Sequence, residues 1–253
     1  MQKWSFEETV VAFWVYCRIP FAKSSSTHPE IVRVAKLIDR TPSALNMKIG
    51  NIGRLDPSLK SKGISGLTHG AKAEEDVWKV FKDNPEQLVV ESQRILAEMI
   101  GKPIEEAAEI ETRNLPEGKE REVVVRQRIG QNFFRSAVLA SYNNRCCISG
   151  VENLELLEAC HISDWSNDAS NRTNPTNGLC MNSFFHRAYD RNLLGVSADY
   201  TIHLSDRLIE TSLEDGFKKY LLSIQGKKIM LPGRFLPEIE LLAEHFERYK
   251  NAL

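Results

Sequence analysis

Three residues near the middle of the chain could do hydrolytic chemistry together: His161, Asn177 and His186, in that order. They sit in a run that reads C-I-S-G from Cys147, L-E-A-C-H-I from Leu157, N-P-T-N-G-L from Asn174 and F-F-H-R-A-Y-D ending at Asp190. The gaps suit a strand, a loop, a second strand and a short helix. Such a layout can set one divalent ion beside one imidazole base. Cutting a phosphodiester requires a deprotonated water, stabilised charge on the phosphoryl and leaving oxygens, and in-line attack. Histidine suits the first task because its ordinary pKa lies near neutrality. A hard divalent cation suits the second, and one or two protein ligands plus substrate phosphate are enough to hold it. The expected chemistry is phosphodiester hydrolysis, with the rest of the chain choosing the target.

Residues 123 to about 240 resemble an HNH endonuclease of the kind found in bacterial restriction enzymes. The matching elements are R-x-R-I-G-Q-x-F-F-R at Arg126 to Arg135, C-x-S-G at Cys147 to Gly150, L-E-A-C-H-I at Leu157 to Ile162, N-x-x-N-G-L at Asn174 to Leu179, and H-x-x-Y-D at His186 to Asp190. The resemblance implies a ββα-metal domain in which His161 is the general base, Asn177 holds the loop between the strands, and His186 is a metal ligand. Asp190 stands one helical turn beyond His186, so both side chains can face one ion. Its two expected roles are second ligand and helix-end anchor. Mg²⁺ or Mn²⁺ is the expected ion, with Zn²⁺ second to them. One departure concerns Cys160, which stands where many such enzymes place an Asp or His ligand; a thiol is a poor partner for Mg²⁺. Glu158 is the nearby carboxylate, with two expected outcomes: it helps hold the ion, or the strand turns it away from Cys160's side. Arg126, Arg128, Gln131 and Arg135, just upstream, are expected to contact the nucleic-acid backbone.

These residues need elements to hold them. Residues 1 to about 98 read as mostly helical. Ser5 and Glu8 form a capping-box pattern ahead of Val10, Val11, Phe13, Trp14 and Tyr16, and Pro20 ends that helix. Ile31, Val34, Ala35 and Ile38 keep helical spacing, and Thr41-Pro42 opens a second helix of the pair. Its Leu45 and Ile49 face a core, leaving Ser43, Asn46, Lys48 and Asn51 outside. That is a helix-turn-helix pattern whose second helix could enter a major groove through Ser43, Asn46 and Lys48. Lys62 to Gly70 reads as a Gly-rich loop. Helices are expected near Glu74–Phe81 and Pro85–Met99. After the central run, Tyr200 to Leu204 alternates like a strand, and helices are expected over about 206 to 224 and 237 to 250.

The chain has 253 residues, 42% hydrophobic and 26% charged, an ordinary balance for a globular protein. No apolar run approaches a membrane span and no secretory signal pattern opens the chain, so no membrane partner and a cytoplasmic location are expected. Five cysteines without a C-x-x-C pair fit neither a disulfide framework nor a zinc knuckle. The net charge of −1 excludes a uniformly basic binder, but Arg18 to Lys72 holds ten Lys or Arg against three acids. The fold class expected is α+β: a helical, helix-turn-helix-like DNA-recognition domain over 1–100, a linker over 101–121 rich in Glu, Gly and Pro, and the nuclease domain with C-terminal helices over 122–253. Double-stranded DNA is the expected partner. A homodimer is expected too, since cutting both strands takes two sites. The same residues leave open a modification-dependent DNA endonuclease, a DNA-binding regulator with a degenerate nuclease fold, and a nuclease gated by a protein or small signal. His28, His69, His203 and His245 are isolated and expected to be structural or exposed.

Overall fold

The computed structural model describes residues 3–63, 72–113, 115–165, 168–210 and 214–252. Most of the Gly-rich stretch, with His69, lies outside them. The first half is helical: α1 (Phe6–Arg18), α2 (Pro29–Leu37), α3 (Pro42–Gly53), α4 (Pro57–Lys60), α5 (Lys72–Phe81), α6 (Pro85–Ile100) and α7 (Ile104–Ala107). The long α8 (Lys119–Ser141) follows, then β1 (Leu157–His161), β2 (Gly178–Asn182), α9 (Ser183–Asp190), β3 (Leu194–Val196), β4 (Ile202–Leu204), α10 (Asp206–Glu210), α11 (Asp215–Ile224) and α12 (Ile239–Asn251). The architecture is α+β and mostly helical, with two antiparallel two-stranded sheets.

Local chemistry sets the helix starts. Ser5 Oγ accepts from Glu8 N (3.1 Å) while Glu8 Oε2 accepts from Ser5 N (2.8 Å), closing the reciprocal cap of α1. Thr41 caps α3 through Ala44 N, with Pro42 in the first turn. The expected helix over 206–224 is two helices, α10 and α11, the second capped by Glu214.

Two hydrophobic clusters organise the molecule, and α8 belongs to both. Its Val125, Ile129, Phe133 and Ala137, spaced by four, face the helical first half. Phe134 and Val138 follow one position on, about 100° around the helix, and face the second cluster with β1, β2 and α9. Residues 101–121, expected as a linker, carry α7, and Ala107 and Ile110 are buried in the first cluster. Burying their apolar surface stabilises a stretch whose composition alone reads as loop.

The expected basic patch of the first half is largely compensated by acids drawn from elsewhere. Arg40 bonds Glu8 (2.8 Å), Arg33 bonds Glu109 (3.0 Å) and Arg54 bonds Glu75 (3.1 Å). Lys48 is the sharpest difference from the sequence expectation. It is 5% exposed, donates to the fully buried Glu74 of α5 at 2.6 Å, and lies 4.9 Å from the Trp4 ring. Lys48 comes three residues after Leu45 and one before Ile49, so the packing of α5 against α3 covers it. Ser43 stays exposed, while Asn46 is half-buried and accepts from Ser24 Oγ at 2.6 Å.

Candidate active site

β1 and β2 pair antiparallel, with His161 opposite Gly178 and Glu158 opposite Met181. The strand–loop–strand–helix order expected from the spacing is present. Gly178 has a local reason: a Cβ there would lie 2.3 Å from Val138 Cγ2 and 3.0 Å from Phe134 Cζ. The missing side chain lets α8 press against the sheet where His161 stands. Phe134 uses that closeness to stack on His161, with ring centroids 3.6 Å apart and planes 10° from parallel. Trp165 meets the other surroundings of the ring edge-on at 5.6 Å.

His161 Nε2 lies 3.1 Å from the Arg172 carbonyl. A carbonyl only accepts, so in the neutral ring Nε2 carries the proton and Nδ1 keeps a free lone pair. Burial pushes the His161 pKa below its ordinary value; the Arg172 carbonyl pulls upward and the charge of His186 pulls downward. That shift favours the neutral imidazole.

Asn177 is 1% exposed and spends its amide on the backbone that follows His161. Its Oδ1 accepts from Ser163 N (2.8 Å), and its Nδ2 donates to the carbonyls of Ser163 and Asn171 (each 3.2 Å). Its own carbonyl accepts from Ile162 N at 2.9 Å. These bonds suit a residue that holds the loop. Arg248 of α12 adds a bond to the Ile162 carbonyl at 3.1 Å.

α9 begins directly after β2, capped by Asn182, and presents His186 and Asp190 one turn apart. His186 Nε2 is 3.4 Å from Asp190 Oδ2. Cys160 Sγ joins them: one ligand atom from each of Cys160, His186 and Asp190 lies within 4.8 Å of the others. Of the two outcomes expected for Glu158, the structure has the one on Cys160's side of the strand: it points to this same group, as residues two apart on a strand do. Its Oε2 bonds His186 Nδ1 and its Oε1 accepts from Ser183 Oγ at 3.0 Å. With Nδ1 engaged by a carboxylate, Nε2 is the nitrogen left for an ion, an arrangement that orients metal-binding histidines generally. Sequence reasoning missed this orienting role; the Glu158–Cys160 spacing on one strand face was the available signal.

The electrostatics fit a cation. Burial raises the Asp190 pKa above its ordinary value, and the carboxylates of Asp164 and Glu158 add to it against the charges of His186 and Arg187. Burial works the same way on Glu158, but bonds from His186 and Ser183 and the charges of His186 and Arg135 hold it below its ordinary value. Burial, helped by nearby Asp190, Glu158 and Asp164, pushes the Cys160 thiol well up. His186 and Asp190 thus offer one nitrogen and one oxygen donor to a hard or borderline ion, and Cys160 supplies a neutral thiol beside them.

Residues 146–197 match the family model of the HNH endonucleases. The matched segment carries β1, β2, α9 and β3, and so contains His161, Asn177, His186, Asp190, Glu158 and Cys160. It is narrower than the expected resemblance over 123–240 and begins after the arginines of α8. No curated protein matches the chain. The matched segment is similar to an HNH nuclease domain, for which DNA is the implied substrate.

The remaining expected residues are spread along α8 and α3. Arg126 bonds Glu86 (2.7 Å) and Arg128 donates to the Glu111 carbonyl (2.9 Å). Gln131 and Arg135 are exposed, and Arg135 acts electrostatically on Glu158. Ser43, Asn46 and Lys48 lie on α3, which packs on α1, α2 and α5 away from the sheet. Phe133 and Phe185 are buried, while Phe184 is 39% exposed.

Proposed function

We propose that the chain is a metal-dependent endonuclease hydrolysing phosphodiester bonds in double-stranded DNA, acting in restriction or defence. One observation carries this reading: a half-buried imidazole, His161, beside the group formed by His186, Asp190, Cys160 and Glu158. His161 Nδ1 takes the proton from water as the water attacks phosphorus in line, and the His161 side chain keeps its Nε2–H on the Arg172 carbonyl. Phe134 and the Asn177 bonds fix the ring, so little reorganisation accompanies the proton transfer. His186 and Asp190 would hold Mg²⁺ or Mn²⁺, with Glu158 fixing the His186 ring. When bound, the ion supplies Lewis-acid stabilisation of the phosphoryl and leaving oxygens. Arg135 and Gln131 on α8 contact the DNA backbone beside the site, Arg126 and Arg128 add charge along the same helix, and Ser43 and Asn46 are what α3 offers a groove. Lys48 drops out of that surface because α5 covers it. Two copies of the chain, each cutting one strand, form the working unit.

The experiment is digestion of phage and plasmid DNA, modified and unmodified, by purified protein in Mg²⁺, Mn²⁺ or EDTA. Discrete fragments that require the ion support the reading, and the preferred substrate separates modification-blocked from modification-dependent cutting. Intact DNA in every ion, with binding retained on a gel, contradicts it.

A further inference from the structure

Cys160 is fully buried on β1, and its Sγ belongs to the same group as His186 and Asp190 of α9, with the three ligand atoms within 4.8 Å of one another. Strand alternation puts it there, two residues from Glu158 and on the face that meets α9. The thiol also donates to the His161 carbonyl at 3.6 Å, a long contact that a stronger bond to the sulfur can replace.

The spacing of the donors separates one class of ion from another. His186 Nε2 and Asp190 Oδ2 stand 3.4 Å apart. Two donors about 2.0–2.1 Å from one ion are about 3.4 Å apart at a tetrahedral angle. At the right angle that Mg²⁺ demands they are about 2.9 Å apart. Charge points the same way: a thiolate at Cys160 and a carboxylate at Asp190 together balance a dication, where burial makes an unpaired charge costly. One sulfur, one nitrogen and one oxygen donor, with a fourth position left for water or phosphate, suit a borderline-soft tetrahedral ion. The side chains of His186 and Asp190 are 25% and 49% exposed, which gives that ion a way in.

We propose that Cys160 is a third metal ligand, through sulfur, and that it makes this group a Zn²⁺ site. The Cys160 S–H bond breaks as the sulfur–metal bond forms, and the proton passes to water. This role rests on the metal-binding part of the nuclease reading, not on DNA cutting. It adds a difference between ions: Mg²⁺ and Mn²⁺ use the His186 and Asp190 donors, whereas Zn²⁺ also engages Cys160 and displaces them from the shared pair.

The test uses the full chain, kept reduced with a phosphine, and its Cys160→Ser and His186→Ala variants. Co²⁺, a spectroscopic stand-in for Zn²⁺, is titrated while near-ultraviolet sulfur-to-metal charge transfer is recorded. Calorimetry gives the Zn²⁺ and Mn²⁺ affinities. The wild type should show a saturable one-to-one band that both variants lose. In Cys160→Ser, Zn²⁺ affinity should fall about tenfold or more while Mn²⁺ affinity changes by less than about threefold. Co²⁺ bound without the band, the same band in Cys160→Ser, or equal Zn²⁺ affinity there overturns the proposal and leaves the metal centre standing. No binding of Co²⁺, Zn²⁺ or Mn²⁺ by the wild type removes both. Should the melting curve show Cys160→Ser misfolded, wild type and His186→Ala decide, because Cys160 is the cysteine grouped with His186 among the described residues. A band that His186→Ala abolishes then supports sulfur ligation, and one it leaves intact overturns it. Digestion of DNA is read separately: intact DNA with the band present removes the nuclease reading and keeps the Cys160 ligand.

Discussion

Glu158 acts on the site through His186. Its carboxylate takes the Nδ1 side of the ring, so Nε2 is presented beside Asp190 and the ring cannot turn. Replacing Glu158 by Gln keeps the size but removes the charge. The expected result is about 10- to 100-fold weaker Mn²⁺ affinity, measured by calorimetry, with melting temperature nearly unchanged. An unaltered affinity would mean that Glu158 only braces α9. The grouping of His161, Asn177 and His186 on one strand–loop–strand–helix unit was legible in the sequence because it depends on spacings within one segment. Glu158 was not, because its contact with His186 depends on which face of β1 meets α9, and only packing shows that. Lys48 was misread for a related reason: helical spacing shows which residues border the core, but not that α5 brings a buried acid to meet one of them.

Two elements depend on close approach. Gly178 lets α8 and β2 touch, and Val138 is β-branched and stiff, so an added methyl has nowhere to go. Gly178→Ala should cost about 1–3 kcal/mol through overpacking and lower any cleavage rate by shifting Phe134 from His161; urea unfolding and a rate measurement check both. α12 is held against α9 by His245, which is 3% exposed and stacks on Tyr189 at 3.6 Å. Burial pushes its pKa down to about 4, with the charge of Arg248 adding to the effect and a bond to the Tyr189 backbone opposing it. The unfolded chain then takes up a proton near the ordinary histidine value while the folded chain does not. Stability from this group is complete above about pH 6.5 and falls as pH drops towards the folded value, by about 3 kcal/mol in all. His245→Phe should keep the stack and flatten that fall, read from unfolding curves across the window. The helix starts were legible from caps and prolines, because those signals are local. The double duty of α8 was half legible: its two stripes are in the sequence, but only packing shows that each belongs to a different core.

At the scale of the molecule, a segment after α11 laces the two halves together. Gly233 N donates to the Ser141 carbonyl at the end of α8 (2.7 Å), and Lys62 Nζ reaches the Gly233 carbonyl (2.9 Å). Arg234 is 2% exposed; its Nη2 donates to the carbonyls of Cys17 (3.0 Å) and Ile19 (2.6 Å), at the end of α1, and its guanidinium lies 4.5 Å from the Tyr16 ring. A cation suits that helix end, where carbonyls lack partners. Glu238 then accepts from Thr176 Oγ1 at 2.7 Å, beside Asn177. One strap thus runs from the helical half to the loop that Asn177 holds. Arg234→Met, which keeps the alkyl stem, should lose about 1–3 kcal/mol, checked by urea unfolding; no loss would mean the halves hold together through α8 alone. None of this was legible in the sequence, where Arg234 and Cys17 stand 217 residues apart and nothing marks them as partners. No helix among the described residues is long and apolar enough to cross a membrane. The central claim is that His161 removes the proton from the attacking water. Its most direct test compares wild type and His161→Ala on one duplex in Mn²⁺, with Mn²⁺ affinity and melting temperature measured alongside. The account predicts a rate loss of about 10²- to 10⁴-fold with metal affinity and stability retained; equal cleavage by the two proteins would contradict it.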